Sequence, residues 1–246
     1  MSKKVLHGEE RTRLENELYG RYGAKRGFKS RWTYYRKKYS WFLVIGGAKF
    51  LKRALSLFVA CFLLIFLFPA MLAIGIVIKL QNNGPIFYVS NRVGKFGQEF
   101  RFYKFRTMHM GADQLKENLV PYSDYKESIT FKMKKDPRIT SFGRFLRKTS
   151  LDELPQLWNV IKGDMALVGP RPHLPEEVSH YTLEQRRRLD IVPGITCIWQ
   201  VSGRSALPFE QQVQLDLQYI ESQNFWLDMK ILLKTIPAVL FGRGAY

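Results

Sequence analysis

The sequence predicts a mixed α/β (α+β) protein associated with a membrane, and three observations carry that reading. From Ala54 to Ile78 there are 25 residues without a formal charge, bounded by Lys52 and Arg53 before and Lys79 after. Two aromatic-rich runs then face each other across a glycine-bearing segment, the pattern of a β-hairpin. Apolar residues later recur at helical spacing in several short segments. The expected architecture is a re-entrant helix-break-helix anchor, a small β-hairpin packed with helices, and interfacial amphipathic helices. Its expected boundaries are 1–50 for a basic aromatic N-terminal extension at the interface, 51–80 for the membrane helix, and 81–246 for a globular domain carrying membrane-surface helices. With 246 residues the chain is long enough to bury a core.

A straight helix of ~20 apolar residues crosses the hydrocarbon of a bilayer, so a single span is the simplest reading of the run, and it starts too far from Met1 for a cleaved signal peptide. Pro69 argues otherwise, because it removes a backbone donor and clashes with the preceding turn, predicting a break near Phe66–Pro69. Charge argues the same way. Residues 1–53 hold 15 Lys and Arg against 4 Asp and Glu, while Lys79, Arg92, Lys95, Arg101, Lys104 and Arg106 follow the run. Both flanks then belong on the cytoplasmic side, which a helix that bends at Pro69 and returns satisfies. Ahead of the run, Arg31, Arg36, Lys37 and Lys38 alternate with Trp32, Tyr34, Tyr35, Tyr39 and Trp41. This suits an anionic headgroup layer; a nucleic-acid arm with stacking aromatics is the alternative.

Past the anchor, Asn82-Asn83-Gly84-Pro85 is a turn, Ile86-Phe87-Tyr88-Val89 a strand, Gly94-Lys95-Phe96-Gly97 the hairpin connection, and Glu99 to Met108 the return strand. Residues 109–140 are polar, contain Pro121 and Pro137, and read as a loop with a short helix from Ala112 to Leu119. Leu154, Leu157, Trp158 and Ile161 mark a helix ended by Lys162-Gly163. Ser150-Leu151-Asp152-Glu153 matches a capping box, but Pro155 must lie in the first turn, so the N-cap is expected at Asp152, Glu153 or Leu154. Ala166-Leu167-Val168 is a short strand. Thr182 starts a helix running to Asp190, and Phe209, Val213, Leu217 and Ile220 form the stripe of another between Pro208 and Glu221. Phe225 to Phe241, with Lys230 and Lys234, suits a helix on the membrane surface.

Composition narrows the partners. Lys and Arg total 39 against 21 Asp and Glu, a net +18, so the expected partners are anionic: phosphates, nucleic acid or an acidic lipid surface. Cys61 and Cys197 cannot staple a fold, and neither belongs to a C-x-x-C. The 46% hydrophobic and 14% aromatic content excludes global disorder.

The residues able to carry chemistry centre on Asp152-Glu153. Arg144, Arg147 and Lys148 precede the pair, and Pro170-Arg171-Pro172 follows the short strand, its prolines holding Arg171 extended. Adjacent acids at a helix start are commonly no more than dipole complements. Among arginines they suit phosphate chemistry: one carboxylate can attack phosphorus, the other hold Mg²⁺, and the arginines neutralise phosphate oxygens. The end of the helix and the arginines are expected to keep Asp152 ionised. His109, His173 and His180 lack metal spacing, and His173 beside Arg171 is expected to shape the site.

Four motifs in order, Tyr103-Lys104-Phe105-Arg106-Thr107-Met108, Ser150-Leu151-Asp152-Glu153-Leu154-Pro155-Gln156-Leu157, Lys162-Gly163-Asp164-Met165 and Gly169-Pro170-Arg171-Pro172, resemble the bacterial monotopic phosphoglycosyl transferases, a sugar transferase family. The resemblance runs from about Lys52 to Tyr246. It implies transfer of a sugar-1-phosphate from a UDP-sugar to polyprenyl (undecaprenyl) phosphate, with release of UMP, at the cytoplasmic face of the bacterial inner membrane, initiating exopolysaccharide, capsule or O-antigen type assembly. By motif position it implies Asp152 as the nucleophile of a covalent phosphosugar intermediate and Glu153 as the Mg²⁺ ligand. It further implies Arg147 and Arg171 as phosphate binders, Lys104 and Arg106 in an aromatic-basic strand, and Pro69 as the helix break. Arg144 and Arg204 complete the expected substrate-binding set.

Departures from the family pattern are Phe68, where small members often carry Ser, and Cys197, where Gly is more usual; Cys197 is expected to be a buried small apolar residue. The chain is expected to be the small form, without the multi-span N-terminal region of large members, and residues 1–50 offer a surface for pairing two copies. The rival from another class is a basic membrane-tethered protein binding nucleic acid or anionic lipid without catalysis; the enzyme reading expects no nucleic acid partner.

Overall fold

The computed structural model describes residues 28–81, 84–112 and 136–241, with positions 13, 16, 17, 114, 115, 119, 129 and 133. The chain divides into two units, Met1–Lys52 and Arg53–Tyr246. In the first, the described aromatics lie on helix: Tyr35 stacks on Tyr39 with centroids 6.3 Å apart, and the Arg36 guanidinium lies 5.6 Å from the Trp32 ring. Both are pairs one helical turn apart.

Helix α1 spans Phe28–Gln81, with Pro69 inside it. Where a break in the helix was expected, the backbone stays helical through the proline. Pro69 removes only the bond that its missing N–H would make to Ile65, and the residues around it carry the helix on. The segment Phe50–Gln81 is long and apolar enough to cross a membrane. Half of its residues are exposed, including Phe58, Phe62, Ile65, Phe66 and Phe68.

The second unit begins at Arg53 and holds the rest of the chain. Strands β1 (Phe87–Val93) and β2 (Glu99–Phe105) form the expected hairpin, joined through a 3-10 turn at Lys95–Gly97. The return strand stops at Phe105 rather than Met108. Their register pairs Tyr88 with Lys104, Ser90 with Phe102 and Arg92 with Phe100, so these six share one face. Phe105 points the other way and packs with Ile74, Ile78 and Leu146.

Helix α2 (Ser141–Lys148) was not foreseen. Thr140 caps it by accepting from Gly143 N, and a Cβ at Gly143 would stand 2.1 Å from the Thr107 carbonyl oxygen. Glycine alone lets this helix lie directly on the chain leaving β2. The short helix expected from Ala112 to Leu119 falls largely outside the described residues, where Ala112, Gln114 and Leu115 occupy turns. Helix α3 (Gln156–Lys162) ends at Gly163, whose φ of 98° closes it with a left-handed cap.

Strand β3 (Ala166–Val168) pairs in parallel with an unforeseen strand β4 (Gly194–Thr196). Between them lie α4 (Pro175–Ser179) and α5 (Leu183–Arg186), the latter opened by the Thr182–Gln185 capping box and continued as a 3-10 turn to Asp190. The chain closes with α6 (Ile198–Ser202), α7 (Phe209–Ser222) and α8 (Phe225–Phe241). The main core joins Ala60 of α1 to Phe102, Leu157, Val160, Met165, Tyr219 and Ile231, so anchor, hairpin and α3 share one interior. Cys197 is fully buried, as expected, whereas Cys61 is exposed.

Candidate active site

Asp152 and Glu153 stand in a 3-10 turn, Leu151–Glu153, between α2 and α3. Ser150 enters this turn at φ 55°, ψ 17°, a left-handed conformation that a non-glycine residue adopts at a cost. Because of Pro155, α3 begins only at Gln156, so the expected N-cap at residues 152–154 gives way to a separate turn. The tight turn directs both carboxyls toward the inner face of the hairpin, where Lys104 waits. Its Nζ lies 2.8 Å from Glu153 Oε1 and 3.4 Å from Asp152 Oδ2. From the opposite side, Arg171 Nη2 donates to Glu153 Oε1 at 2.6 Å.

Asn159 of α3 fixes the spacing between hairpin and dyad. Its Oδ1 accepts from Tyr103 N at 3.3 Å, while its Nδ2 donates to the Arg101 carbonyl at 2.6 Å and to Asp164 Oδ2 at 3.2 Å. A fully buried amide thus clasps β2 on either side of Phe102, two residues from Lys104.

The two carboxyls are driven apart electrostatically. Burial raises Asp152 above the usual aspartate value and Glu153 adds to the rise, while Lys104, Arg147 and Arg171 pull it down without cancelling it. The arginines expected to keep Asp152 ionised do pull it down, and desolvation is the larger effect at a residue only 5% exposed. Burial also pushes Glu153 upward, but Arg171 and Lys104 outweigh it and hold that carboxyl well below the usual range. Arg171 gains in turn: burial opposes its charge, yet Glu153 leaves it above an ordinary arginine.

Arg147 joins the cluster from α2, with Nε donating to Thr107 Oγ1 at 3.0 Å and its charge felt at Asp152. Arg204 reaches the rim, close enough to interact with Glu153 and Arg171, from a residue held at φ 54°. Two expected residues stand elsewhere. Arg106 Nε donates to the Pro85 carbonyl at 2.9 Å, tying down the base of the hairpin, and Arg144 lies exposed on α2. Sequence reasoning gave no role here to Thr107, Asn159, Arg92 or Arg188. A polar residue on an otherwise apolar helix face, as at Asn159 between Leu157 and Val160, is the signal that could have found one of them.

Both cation contacts of Glu153 fall on Oε1. Among the described residues no group of three or more His, Cys, Asp or Glu gathers as a metal cage. Two adjacent carboxylates are the kind of donor set Mg²⁺ takes, since that ion is held by one or two carboxylates plus substrate phosphates.

The sequence model of the family described as bacterial sugar transferase matches residues 47–242. The chain is 49% identical over 166 residues to the galactosyl transferase CpsE of Streptococcus agalactiae, covering 67% of this chain and 37% of that protein. It is 42% identical over 203 residues to the undecaprenyl-phosphate galactose phosphotransferase of Salmonella typhimurium, with 81% and 42% covered. It is 40% identical over 207 residues to the exopolysaccharide production protein ExoY of Sinorhizobium fredii, with 82% and 90% covered. The chain therefore spans less than half of the first two relatives and most of the third. The match takes in the anchor run, the hairpin, the dyad and the Arg171 loop together, and the chain belongs to the bacterial sugar transferase family.

Proposed function

We propose that the protein transfers a sugar-1-phosphate from a UDP-sugar to polyprenyl (undecaprenyl) phosphate and releases UMP, initiating assembly of an exopolysaccharide, capsule or O-antigen type glycan. The observation that carries this reading is the split dyad. Glu153 is locked by two cations, whereas the adjacent Asp152 is buried, raised and contacted by Lys104 at the longer distance of 3.4 Å. A carboxylate poorly compensated for its burial is a stronger nucleophile than a solvated one, and Lys104, Arg147 and Arg171 are placed to take up charge on phosphoryl oxygens. The name of the Salmonella relative, an undecaprenyl-phosphate galactose phosphotransferase, supports the same chemistry.

In this mechanism an Asp152 carboxylate oxygen attacks the phosphorus that bears the sugar. The bond from that phosphorus to the bridging oxygen breaks, and the oxygen departs with UMP. The new carboxylate–phosphorus bond is an acyl phosphate. An oxygen of polyprenyl phosphate then attacks the same phosphorus, the bond to Asp152 breaks, and the carboxylate is regenerated. The sugar C1–O bond is untouched, so anomeric configuration is retained and the kinetics are ping-pong. When bound, Mg²⁺ would be held by Glu153 and would neutralise diphosphate charge.

The anchor is proposed to enter and leave by the cytoplasmic face of the inner membrane. Supporting this, Arg53 before the apolar run donates to the Val160 and Ile161 carbonyls, and beyond Pro69 Ile74 and Ile78 pack on Phe105 and Leu146. Both ends of the run therefore rest on one globular body. A straight helix over that stretch would separate its ends by ~37 Å, and a bend at Pro69 would bring them back. Exposed Trp226, Leu233 and Ile236 beside Lys230 and Lys234 on α8 suit the headgroup layer of anionic lipids.

The test is Mg²⁺-dependent UMP release from a panel of UDP-sugars with undecaprenyl phosphate. Wild type should release UMP, and Asp152→Asn should not. Quenching without acceptor should show the intact chain heavier by one sugar phosphate. Full turnover in Asp152→Asn would remove the assigned nucleophile. Steeply salt-dependent binding of polyanions without UMP release would favour a binding protein instead.

A further inference from the structure

Behind the dyad lies a second ionic group that the mechanism does not use. Arg188 is buried at the end of the Arg187–Asp190 turn region, with its Nη2 2.6 Å from Asp216 Oδ2, and side-chain exposures of 2% and 0%. It also donates to Tyr181 Oη at 2.9 Å and to the Arg171 carbonyl at 3.4 Å, and its Nη2 stands 3.3 Å from His173 Nε2. Across His173, the ring Nδ1 lies 3.6 Å from Glu177 Oε2, which is itself 3.7 Å from Arg92 Nη1. Arg92 Nη1 donates to the Pro172 carbonyl at 3.4 Å. The group thus runs Asp216, Arg188, His173, Glu177, Arg92, and wraps the loop that carries Arg171.

The loop itself explains why such a group is needed. Pro170 and Pro172 have no N–H, so this stretch cannot bond itself into a turn or strand, and its shape must be fixed from outside. Each of four successive carbonyls is taken by a different donor. Pro170 O accepts from Gly194 N at 2.9 Å and His173 O from Val93 N at 3.0 Å, both main-chain bonds. The two carbonyls between them, of Arg171 and Pro172, are taken by the side chains of Arg188 and Arg92. Loss of either side chain frees the backbone at the point where Arg171 projects toward Glu153.

We infer that Arg188 and Arg92, backed by Asp216 and Glu177, are positioning residues that hold Arg171 in register with the dyad. A buried arginine–carboxylate pair is seldom the most stabilising solution for a core, and apolar residues of similar volume commonly replace one at little loss of stability. Its use here is geometric: it supplies a donor to the Arg171 carbonyl.

This inference rests on the phosphoryl-transfer reading of the site, and the experiment separates the two. The coupled replacement Arg188→Met with Asp216→Leu removes the pair without stranding a charge, and Arg92→Met, on a strand with a side chain 23% exposed, is the milder companion. UMP release and thermal midpoint are measured for each in the wild-type and Arg171→Ala backgrounds. In the wild-type background each should lower kcat/KM by ~10-fold at a near-native midpoint, and with Arg171 already gone the further loss should be under ~2-fold. Equal fold-losses in both backgrounds, or unchanged kcat/KM in the wild-type background, would overturn the positioning role. Absence of UMP release from the unmodified chain would instead overturn the proposed activity.

Discussion

Two ionic clusters meet at the Arg171 loop, and they are built on opposite terms. Behind the loop, Arg188 has Asp216 and Arg92 has Glu177, so each cation is matched and the charges are spent on holding backbone. In front, Lys104, Arg147 and Arg171 surround two carboxyls whose proton affinities are pushed in opposite directions. A matched cluster fixes geometry. Burial raises Asp216 and lowers Arg92 as it raises Asp152, so both clusters carry a desolvation cost; the front one differs in setting one saturated carboxyl beside a neighbour left short.

Removing the mismatch should have the largest effect. Asp152→Asn is expected to abolish turnover, by ~10⁴-fold or more, and to melt higher than wild type at neutral pH. The sign follows from the raised folded value: ionised Asp152 is worse off folded than unfolded, so it weakens the fold at neutral pH, and that cost fades as pH falls through the raised value. An uncharged amide removes the cost. Calorimetry across pH should show the variant's advantage at neutral pH shrinking toward acid, and a variant less stable than wild type at neutral pH would contradict the assignment of burial as the dominant influence.

Lys104 is the largest influence pulling Asp152 back down, so Lys104→Gln should sharpen the contrast rather than erase it. Turnover should fall by ~10²–10³-fold, the usual cost of losing a charge aimed at a transition state. The acid limb of the kcat/KM profile, set by ionisation of Asp152, should also move to higher pH. Glu153 is held too low to titrate in the working range, so a limb that stays in place would mean that another group is being read.

How far these clusters were legible in the sequence follows from how local each signal is. The hairpin, the stripe of α7 and the Thr182 capping box are written within a few residues, and they stand where the pattern puts them. The front cluster was legible because its residues sit in short motifs. The rear one was not. Arg186, Arg187 and Arg188 look like a solvated basic run, and only the turn that continues α5 decides that the third is buried. Asp216 did carry a signal, as it shares the buried face of α7 with Val213 and Leu217, where a charge needs a partner. Strands β3 and β4 pair across a long stretch of chain, and three-residue strands have no periodicity to read. The course of α1 through Pro69 depends on what supports the helix on either side, which spacing does not encode.

The smallest expected effect concerns the tie between anchor and dyad. Arg53 donates to the Val160 and Ile161 carbonyls at the C-terminal end of α3, and the dyad stands just before that helix's first turn. A seven-residue helix therefore separates Arg53, at the start of the apolar run, from the proposed nucleophile, and on the proposed anchoring it would set how far Asp152 stands from the lipid. Arg53→Gln shortens the side chain, breaks both contacts and leaves the reacting groups alone. Stability should fall by ~1–2 kcal/mol, the usual range for hydrogen bonds from a charged donor. The first half-reaction uses a water-soluble donor, so the UMP burst without acceptor should keep its wild-type rate. The second needs the lipid phosphate delivered at the correct depth, so steady-state turnover with undecaprenyl phosphate should fall several-fold, about as expected for loss of alignment without loss of a catalytic group. Equal slowing of burst and steady state would place Arg53 among the groups that shape the dyad itself, and the distinction between clusters that fix geometry and clusters that react would have to be redrawn to include the anchor.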